Sequence, residues 1–309
     1  MDPLAHALAG TLLGKANPSR KKGLILACLL GALIPDIDII LTLWGKDLYL
    51  TEHRGFTHSL LGLLPMSLLS AWIAGWAARK WEDRASFKFL WFMGLVGVIS
   101  HLLLDWCTSW GTMLLWPNRT RFALDNLFII DAWYWCLLAL PLGASFFFKK
   151  QSLRLCWGGF LLVLGYHGLA AYNHWKAIQL VKADRPQASV VAFPEPFSPF
   201  RWSAYNCADG LIRNAHLNFL EKARSEDWNQ WREPARTPAL QKVQDSPEGR
   251  QYLWFARMPM WEELPQVDGS TVIYFWDLRF NTYLRSDQTS RRFGEKFVVR
   301  DGKVTASRY

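Results

Sequence analysis

The sequence has few cysteines and no basic leader. Its five cysteines form no CxxC pair, so neither a thiolate zinc site nor a disulfide framework is indicated. The first residues, Met1-Asp2-Pro3-Leu4, lack the basic region of a cleavable signal peptide, and we expect this end to be retained. The chain also shows no internal repeat and no low-complexity segment.

Apolar residues make up 51% of the 309 residues and are concentrated before about residue 174. A helix that spans a bilayer needs ~20 predominantly apolar residues. The segments that meet this length are Gly23–Leu43, Phe56–Ala78, Phe87–Trp106, Leu127–Phe148 and Leu153–Tyr172. A large soluble helical core is the alternative, but its helices would carry polar faces that these segments mostly lack. We therefore predict about five transmembrane helices.

A shorter apolar helix is predicted for residues 3–16, because Asp2 and Pro3 form a plausible N-cap and N1 pair. Its length of ~20 Å is too small to span a bilayer comfortably. The sequence Asn17-Pro18-Ser19 breaks it, and the first long helix then runs back as the second arm of a hairpin.

The net charge of +9 could indicate a nucleic-acid-binding protein, but the placement of the charges argues against one. Lys and Arg cluster in alternate connections between the apolar segments, at residues 15–22, 79–88 and 149–154. Such asymmetry follows the positive-inside rule and assigns these connections to the cytoplasm. Five crossings then place everything beyond residue 174 outside. We predict a multi-pass protein of the cell (inner or plasma) membrane that contacts the lipid bilayer and no nucleic acid.

From about Lys182 the apolar runs shorten and charges of both signs intermix. Strands are predicted for Ser189–Phe193, Thr271–Phe280 and Lys296–Arg308, the last folded into a hairpin by Asp301-Gly302. Helices are predicted for Leu240–Gln244 and Pro247–Met258. The predicted fold is therefore an all-α polytopic membrane domain over residues 1–175, followed by a small extracytoplasmic α+β domain over residues 182–309.

Ionisable side chains lie inside the apolar segments, where they are energetically costly and usually functional. They are His6, Asp36, Asp38, His58, His101, Asp105 and Asp131. When depth is counted from the cytoplasmic helix ends at ~1.5 Å per residue, all of them fall in the outer half of the bilayer. This common depth predicts that they meet at one site.

Imidazole and carboxylate groups together suit a divalent metal ion, Zn²⁺ in the first place and Mn²⁺ or Fe²⁺ as alternatives. His101 and Asp105 share one helical face through their i, i+4 spacing, although such a pair alone also fits a hydrogen-bonded contact between helices. Asp36 and Asp38 follow Pro35 at i, i+2, which predicts a local break, with one as ligand and the other orienting a ligand. The predicted ligand set is His6, Asp36, Asp38, His58, His101 and Asp105.

The segment Thr51–Ser59, TEHRGFTHS, places His58 in the first turn of a helix that begins at Phe56 or Thr57. Arg54 at the same helix mouth either holds a phosphate through a bidentate contact or anchors the chain at headgroup level. Three further residues are additional candidates for the site. They are Asp131; His53, as an interfacial or orienting group; and His167, as a ligand or a hydrogen-bonded core residue.

Several motifs occur in a characteristic order: MDPLAHALAG, PDID at 35–38, HRGFTHS at 53–59, SHLLLD at 100–105 and IIDAWYW at 129–135. Together they resemble the YdjM/YbcI/YfhP-type family of membrane-bound, metal-dependent hydrolases over about residues 1–175. A more distant similarity, in the order of the predicted ligands, is to the zinc-dependent phospholipase C and P1 nuclease superfamily. This chain lacks the second HxxxD or HxxxE motif of that superfamily, since Ala171 stands four residues after His167, so one or two metal ions are expected instead of three.

The first functional hypothesis is metal-dependent hydrolysis of a phosphoester, which can be lipid-linked, near the outer leaflet. Asp105 or Asp38 would act as general base, and Arg54 would bind the phosphate charge. The second hypothesis is a transition-metal transporter or metal sensor without hydrolysis. A transporter should present polar groups toward the cytoplasmic half, where this chain has mostly Leu, Gly, Ala, Trp and Phe. A third interpretation, a membrane anchor for the outer domain, leaves the common depth unexplained.

Overall fold

The computed structural model describes residues 1–19, 21–81, 84–221, 229–233, 235–280 and 294–307. The chain divides into two compact units. The helical unit comprises Met1–Trp175 and Pro196–Phe200, and the α+β unit comprises Lys176–Glu195 and Arg201–Tyr309.

Helices account for most of the helical unit. The α-helices are α1 (Pro3–Lys15), α2 (Lys22–Leu33), α3 (Lys46–Glu52), α4 (Leu63–Ala77), α5 (Phe87–Trp106), α6 (Ala132–Phe147) and α7 (Ser152–Asp184), the last of which continues into the α+β unit. Shorter 3₁₀ segments are Ile34–Trp44, Phe56–His58, Ala78–Lys80 and Lys149–Gln151.

Among the described residues, three helical segments are long and apolar enough to cross a membrane: Lys22–Trp44, Phe87–Trp106 and Lys149–Asp184. A fourth crossing is possible if Leu48–His58 and Leu63–Lys80, which meet at a bend of 80°, form one broken span. The predicted segment Leu127–Phe148 contains a shorter apolar helix, Ala132–Phe147, because Asp131 starts it as N-cap. The described residues thus confirm an apolar multi-helix unit, and a total of five crossings stays a prediction.

The N-terminal hairpin is confirmed. The Asp2 carboxylate caps α1 by accepting hydrogen bonds from the backbone N–H groups of Leu4 and Ala5. Helix α1 ends at Lys15, and α2 returns alongside it with glycine at the contact. A Cβ on Gly10 would lie 2.5 Å from the Ala32 Cβ, so only glycine allows this approach.

Glycine also closes the contact between α2 and α5. A Cβ on Gly31 would lie 2.2 Å from the Gly94 carbonyl oxygen, and one on Gly97 would lie 2.2 Å from the Cys28 carbonyl oxygen. Backbones that approach so closely are typical of helix pairs in membranes. This contact holds His101, one turn further along α5, beside the end of α2.

The predicted break near Pro35 is confirmed. The helix that begins at Lys22 is α-helical to Leu33 and continues as a 3₁₀ helix over Ile34–Trp44. Long 3₁₀ runs are uncommon and often mark functional positions. The change of winding lets Asp36 and Asp38 both point toward the interior of the unit, which a continuous α-helix would not permit.

The predicted helix start near His58 is wrong. Phe56–His58 forms a single 3₁₀ turn, a tight turn follows, and α4 begins only at Leu63. The Ser59 hydroxyl donates to the Phe56 carbonyl and accepts from the Gly62 N–H, which closes the turn. A Cβ on Gly62 would lie 2.2 Å from the Phe56 carbonyl oxygen, so this tight turn requires glycine. His58 is therefore held by a compact turn and not by a helix N-terminus.

The α+β unit contains two antiparallel four-stranded sheets, ordered β1-β2-β3-β4 and β5-β6-β7-β8. Their strands are β1 (Ser189–Pro194), β2 (Arg201–Ala208), β3 (Leu211–Asn218), β4 (Asn229–Arg232), β5 (Pro259–Pro265), β6 (Thr271–Asp277), β7 (Glu295–Arg300) and β8 (Lys303–Ser307). Two helices, α8 (Pro238–Asp245) and α9 (Pro247–Phe255), precede the second sheet. Trp202 and Tyr205 of β2 are fully buried, as are Phe275 of β6 and Phe297 of β7.

Predictions for the α+β unit are confirmed in part. Strand β1, both helices and the hairpin of β7 and β8 lie where the pattern placed them, although Arg308 is outside the described residues. The strand predicted for Thr271–Phe280 ends at Asp277, because Leu278–Phe280 turns as a 3₁₀ helix. Strands β2, β3, β4 and β5 were not predicted, since their apolar residues do not alternate cleanly.

Candidate metal centre

Four side chains from three parts of the helical unit converge on one point. They are Asp36, His58, His101 and Asp105, and one ligand atom from each lies within 4.8 Å of all the others. We refer to these residues as the four-ligand cluster. The 3₁₀ helix supplies Asp36, the tight turn before α4 supplies His58, and α5 supplies the i, i+4 pair.

The spacing of the ligand atoms suits a first-row metal ion. The His58 Nε2 lies 3.0 Å from the His101 Nε2 and 3.3 Å from the Asp36 Oδ1. The Asp105 Oδ2 lies 3.4 Å from both imidazole nitrogens, the His101 Nε2 lies 3.6 Å from the Asp36 Oδ1, and the two carboxylates are within 4.8 Å of each other. Tetrahedral coordination at roughly 2.0–2.1 Å separates ligand atoms by about 3.3–3.4 Å. The five distances that involve an imidazole nitrogen scatter around that value.

The hydrogen bonds of the two imidazoles aim their lone pairs at this point. The His101 Nδ1 lies 2.7 Å from the Ala32 carbonyl oxygen, which can only accept, so Nδ1 carries the proton. The His58 Nδ1 lies 2.9 Å from the Thr57 hydroxyl and 3.3 Å from the Asp38 carboxylate, which assigns its proton in the same way. In the neutral rings both Nε2 atoms then present lone pairs to each other, an arrangement that a cation between them stabilises.

Asp38 lies beside the four-ligand cluster. One carboxylate oxygen is 3.0 Å from the His53 Nδ1. The other accepts from the Arg54 backbone N–H at 3.0 Å and the Thr57 hydroxyl at 3.2 Å, and it faces the His58 Nδ1. Both oxygens are engaged in this way, and the orienting role that the i, i+2 spacing predicted for one of the two aspartates stays a prediction for Asp38. The structure does not bring it into the group of convergent ligand atoms.

The two oxygens of Asp105 have different surroundings. Oδ1 forms an ion pair with the Arg54 Nη2 at 2.9 Å, contacts the amino group of Met1, and lies 3.3 Å from the His6 Nε2. Oδ2 faces the two imidazoles and has no hydrogen-bond partner among the described residues. A buried carboxylate oxygen without a donor is costly, and a bound cation would satisfy it.

Arg54 is buried, with 2% of its surface exposed. Besides the ion pair with Asp105, its Nη1 donates to the Thr108 hydroxyl at 2.9 Å. Its backbone has φ of +62°, a conformation that non-glycine residues rarely adopt and that often marks a functional position. The guanidinium group therefore places a fixed positive charge behind Asp105.

His6, on α1, is fully buried. Its ring stacks on His101 with centroids 3.8 Å apart and an angle of 17° between the planes. His6 contacts the cluster through Asp105 Oδ1, the same oxygen that pairs with Arg54, and it is not in the four-ligand cluster. It packs against a ligand and restrains the plane of that ligand.

The remaining predicted residues are separate from the cluster or border it. Asp131 caps α6 through the Trp133 and Tyr134 N–H groups and accepts from the Tyr166 hydroxyl at 2.6 Å. The His167 Nε2 lies 3.2 Å from the Tyr134 hydroxyl, in the hydrogen-bonded core role that the sequence left open for it. His53 borders the cluster through its contact with Asp38.

Two threonines near the cluster were missed by the sequence reasoning. Thr57 contacts both His58 and Asp38, and the Thr108 hydroxyl donates to the Asp105 carbonyl while accepting from Arg54. Their positions in the sequence could have identified them as neighbours of the site. Thr57 directly precedes His58, and Thr108 follows Asp105 by three residues, about one helical turn.

The residues present therefore fit a divalent metal ion. Two imidazoles with paired outer nitrogens, two carboxylates and an orphaned buried oxygen form a donor set that suits Zn²⁺, Mn²⁺ or Fe²⁺.

Comparison with known proteins relates the helical unit to a protein family. Residues 1–177 match the family model described as YdjM inner membrane protein. The chain is 30% identical to the protein YfhP of Bacillus subtilis over 136 residues, which cover 41% of this chain and 40% of YfhP. It is 36% identical to the inner membrane protein YdjM of Escherichia coli over 110 residues, which cover 33% of this chain and 53% of YdjM.

A further relative is the inner membrane protein YbcI of Escherichia coli, 35% identical over 122 residues, which cover 37% of this chain and 66% of YbcI. The chain thus spans about two fifths to two thirds of the length of these relatives. No solved structure matches the chain.

Proposed function

The chain belongs to the YdjM family of inner membrane proteins, and from that premise we propose that it is a membrane-bound, metal-dependent phosphoester hydrolase. The observation that carries the proposal is the four-ligand cluster, whose distances and hydrogen bonds suit one divalent ion. The proposal includes a site in the outer half of the bilayer, five crossings and an extracytoplasmic α+β unit, which rest on the Lys and Arg distribution.

A bound divalent ion would supply Lewis-acid activation of water and of a phosphoryl oxygen. The protein groups divide the remaining work. Asp38 and the Ala32 carbonyl fix the two imidazoles, and Arg54 fixes Asp105. Held in this way, the ligands need little rearrangement when substrate binds, which is how preorganised sites lower barriers.

Among the carboxylates, Asp36 is placed to accept a proton from water. Its side chain is 27% exposed, whereas that of Asp38 is 4% exposed and that of Asp105 is 1% exposed. A general base must be within hydrogen-bond reach of the attacking water. We therefore assign this role to Asp36 in place of Asp105 or Asp38, which hold other groups in position. His58, His101 and Asp105 would then hold the ion and leave its fourth position open to water.

A single metal ion agrees best with the charges of the site. A second cation would need the Asp105 Oδ1, which already faces the Arg54 guanidinium at 2.9 Å. Two cations so close to each other repel strongly in a buried site. In this proposal Arg54 supplies the positive charge that a second ion would contribute, and it acts through Asp105 without touching the substrate phosphate.

The helix packing beside the cluster favours hydrolysis over transport of the metal. Directly beside the cluster, α2 and α5 approach so closely that a Cβ on Gly97 would lie 2.2 Å from the Cys28 carbonyl oxygen. A conducting path needs polar groups or space between helices. Glycine contacts at this point provide neither.

The test combines metal analysis with hydrolysis. We expect the purified protein to hold about one divalent ion per chain, as one tetrahedral site requires, and His101→Ala to lose it. His167→Ala is the matched control, since that imidazole is also inside the helical unit but bonds to Tyr134. The metal-loaded protein should hydrolyse a phosphomonoester or phosphodiester, and His101→Ala should not.

Retention of the parent metal content by His101→Ala would contradict the metal centre. A protein that binds its metal stoichiometrically but hydrolyses no phosphoester in a broad screen would contradict the enzyme assignment and favour a sensor.

A further inference from the structure

Among the four side chains of the cluster, that of Asp36 is the exposed one. The side chains of His58 and His101 have no exposed surface and that of Asp105 has 1%, whereas that of Asp36 has 27%. Asp36 is therefore the member of the cluster that an incoming molecule meets first. The class of molecule is then set by the surface around that residue.

The surface on the Asp36 helix is apolar. Within Ile34–Trp44 the exposed residues are Ile37, Ile39, Ile40, Leu43, Trp44 and one polar residue, Thr42. The Thr42 hydroxyl donates to the Ile39 carbonyl and so offers no proton to an incoming group. Residues three apart eclipse each other in a 3₁₀ helix, which places Ile39, 62% exposed, on the same face as Asp36 and one turn further along.

The segment that carries the neighbouring ligand His58 has the same character. Its exposed residues over 56–65 are Phe56, Leu60, Leu61, Leu64 and Pro65. This turn contacts the 3₁₀ helix through His58 and Asp36. The segment that carries the accessible Asp36 and the segment that carries His58 thus both expose large apolar side chains.

An entrance for a water-soluble substrate would expose polar groups, because water-filled paths through membrane proteins are lined by them. Here Asp36 lies inside the apolar segment Lys22–Trp44, which is long and apolar enough to cross a bilayer. A partly exposed carboxylate among exposed Ile and Leu is costly in hydrocarbon. A lipid that enters from the bilayer would match both features, because its polar headgroup would lie at Asp36 and its acyl chain would pack on the apolar residues.

We propose that the substrate is a membrane lipid whose phosphate headgroup reaches the four-ligand cluster sideways, past Asp36, while its acyl chain lies along Ile37, Ile39 and Leu61. This rests on the proposed function, since it names the substrate class of the same site. It also assigns Ile39 as a residue that controls entry.

The experiment separates entry from hydrolysis. Mn²⁺-loaded protein in maltoside micelles is mixed with pairs of probes that share a phosphate group: dioleoyl phosphatidic acid with glycerol 3-phosphate, and dioleoyl phosphatidylglycerol with glycerophosphoglycerol. The ³¹P relaxation rate reports how closely each phosphate approaches the ion. We expect at least one lipid to exceed its soluble partner by about tenfold or more, because confinement to the micelle raises its effective concentration.

Ile39→Trp adds bulk on the same face as Asp36 without adding charge. It should reduce the relaxation of the lipid phosphate several-fold and leave the metal content unchanged. Leu140→Trp is the matched control, because Leu140 is 72% exposed on the separate helix α6. This variant should behave as the parent.

Entry from the bilayer is overturned if the soluble phosphates approach the ion as well as the lipids do, or if Ile39→Trp and Leu140→Trp have equal effects. Hydrolysis is measured on the same samples. A lipid phosphate that approaches the ion without being cleaved supports the entry route and contradicts the proposed function, so the two fail separately.

Discussion

Substitution of Asp38 tests whether the four-ligand cluster holds a metal ion through oriented imidazoles. Asp38 is not among the four ligands of the cluster. Its substitution can therefore change the metal affinity only through His58 and the backbone at Arg54, which it contacts. Loss of such orienting carboxylates typically reduces metal affinity by about 10–100-fold.

Two substitutions of Asp38 are expected to give the lower and the upper end of this range of affinity loss. In Asp38→Asn the amide oxygen can keep the contacts to the Arg54 N–H, the Thr57 hydroxyl and His58, while the amide N–H₂ faces His53, whose ring can change tautomer. Only the charge is lost, and we expect about a tenfold weaker affinity, or 1.4 kcal/mol. Asp38→Ala removes every contact, and we expect about a hundredfold loss, or 2.7 kcal/mol.

Competition with a chromogenic chelator, followed on detergent-purified protein, measures these affinities. The control is Asp131→Asn, because Asp131 is as buried as Asp38 but caps α6, where asparagine is an equally good cap. Parental affinity in Asp38→Ala would refute the orienting role and with it our account of the cluster. An equal loss in Asp131→Asn would show that the effect is general destabilisation.

Arg54→Ala should lower the thermal unfolding temperature in detergent, since removing one partner of a buried ion pair costs about 3–5 kcal/mol. Arg54→Lys should recover only part of this stability, because lysine lacks the forked guanidinium that joins Asp105 and Thr108. Parental stability in Arg54→Ala would contradict the ion pair between Arg54 and Asp105. Gly97→Ala should destabilise the protein by about 1–3 kcal/mol through overpacking. Gly158→Ala should not, because the space around its added Cβ is open. Equal melting curves for the two variants would contradict the close contact between α2 and α5. A reporter fused after Tyr309 should be active outside the cytoplasm, as the Lys and Arg distribution predicts, and a cytoplasmic signal would overturn the count of five crossings.

Local sequence patterns were sufficient for much of the helical unit. Apolar length identified the segments around α2, α5 and α7, and Asp2-Pro3 identified the start of α1. The cost of burying His and Asp in apolar segments pointed to the residues of the cluster. In the α+β unit, β2 and β3 escaped prediction because buried residues follow one another along each strand, which removes the alternation that marks a strand.

The sequence by itself therefore determined which residues are apolar enough to enter a bilayer and which ionisable groups must be compensated there, because both depend on the composition of a short segment. The tertiary structure alone decided how those groups pair. Arg54 and Asp105 are 51 residues apart, and their ion pair depends on how the tight turn before α4 packs on α5. The division of work between Asp36 and Asp38 has the same origin, since the 3₁₀ winding and the position of His58 together determine which carboxylate faces the imidazoles and which lies behind them.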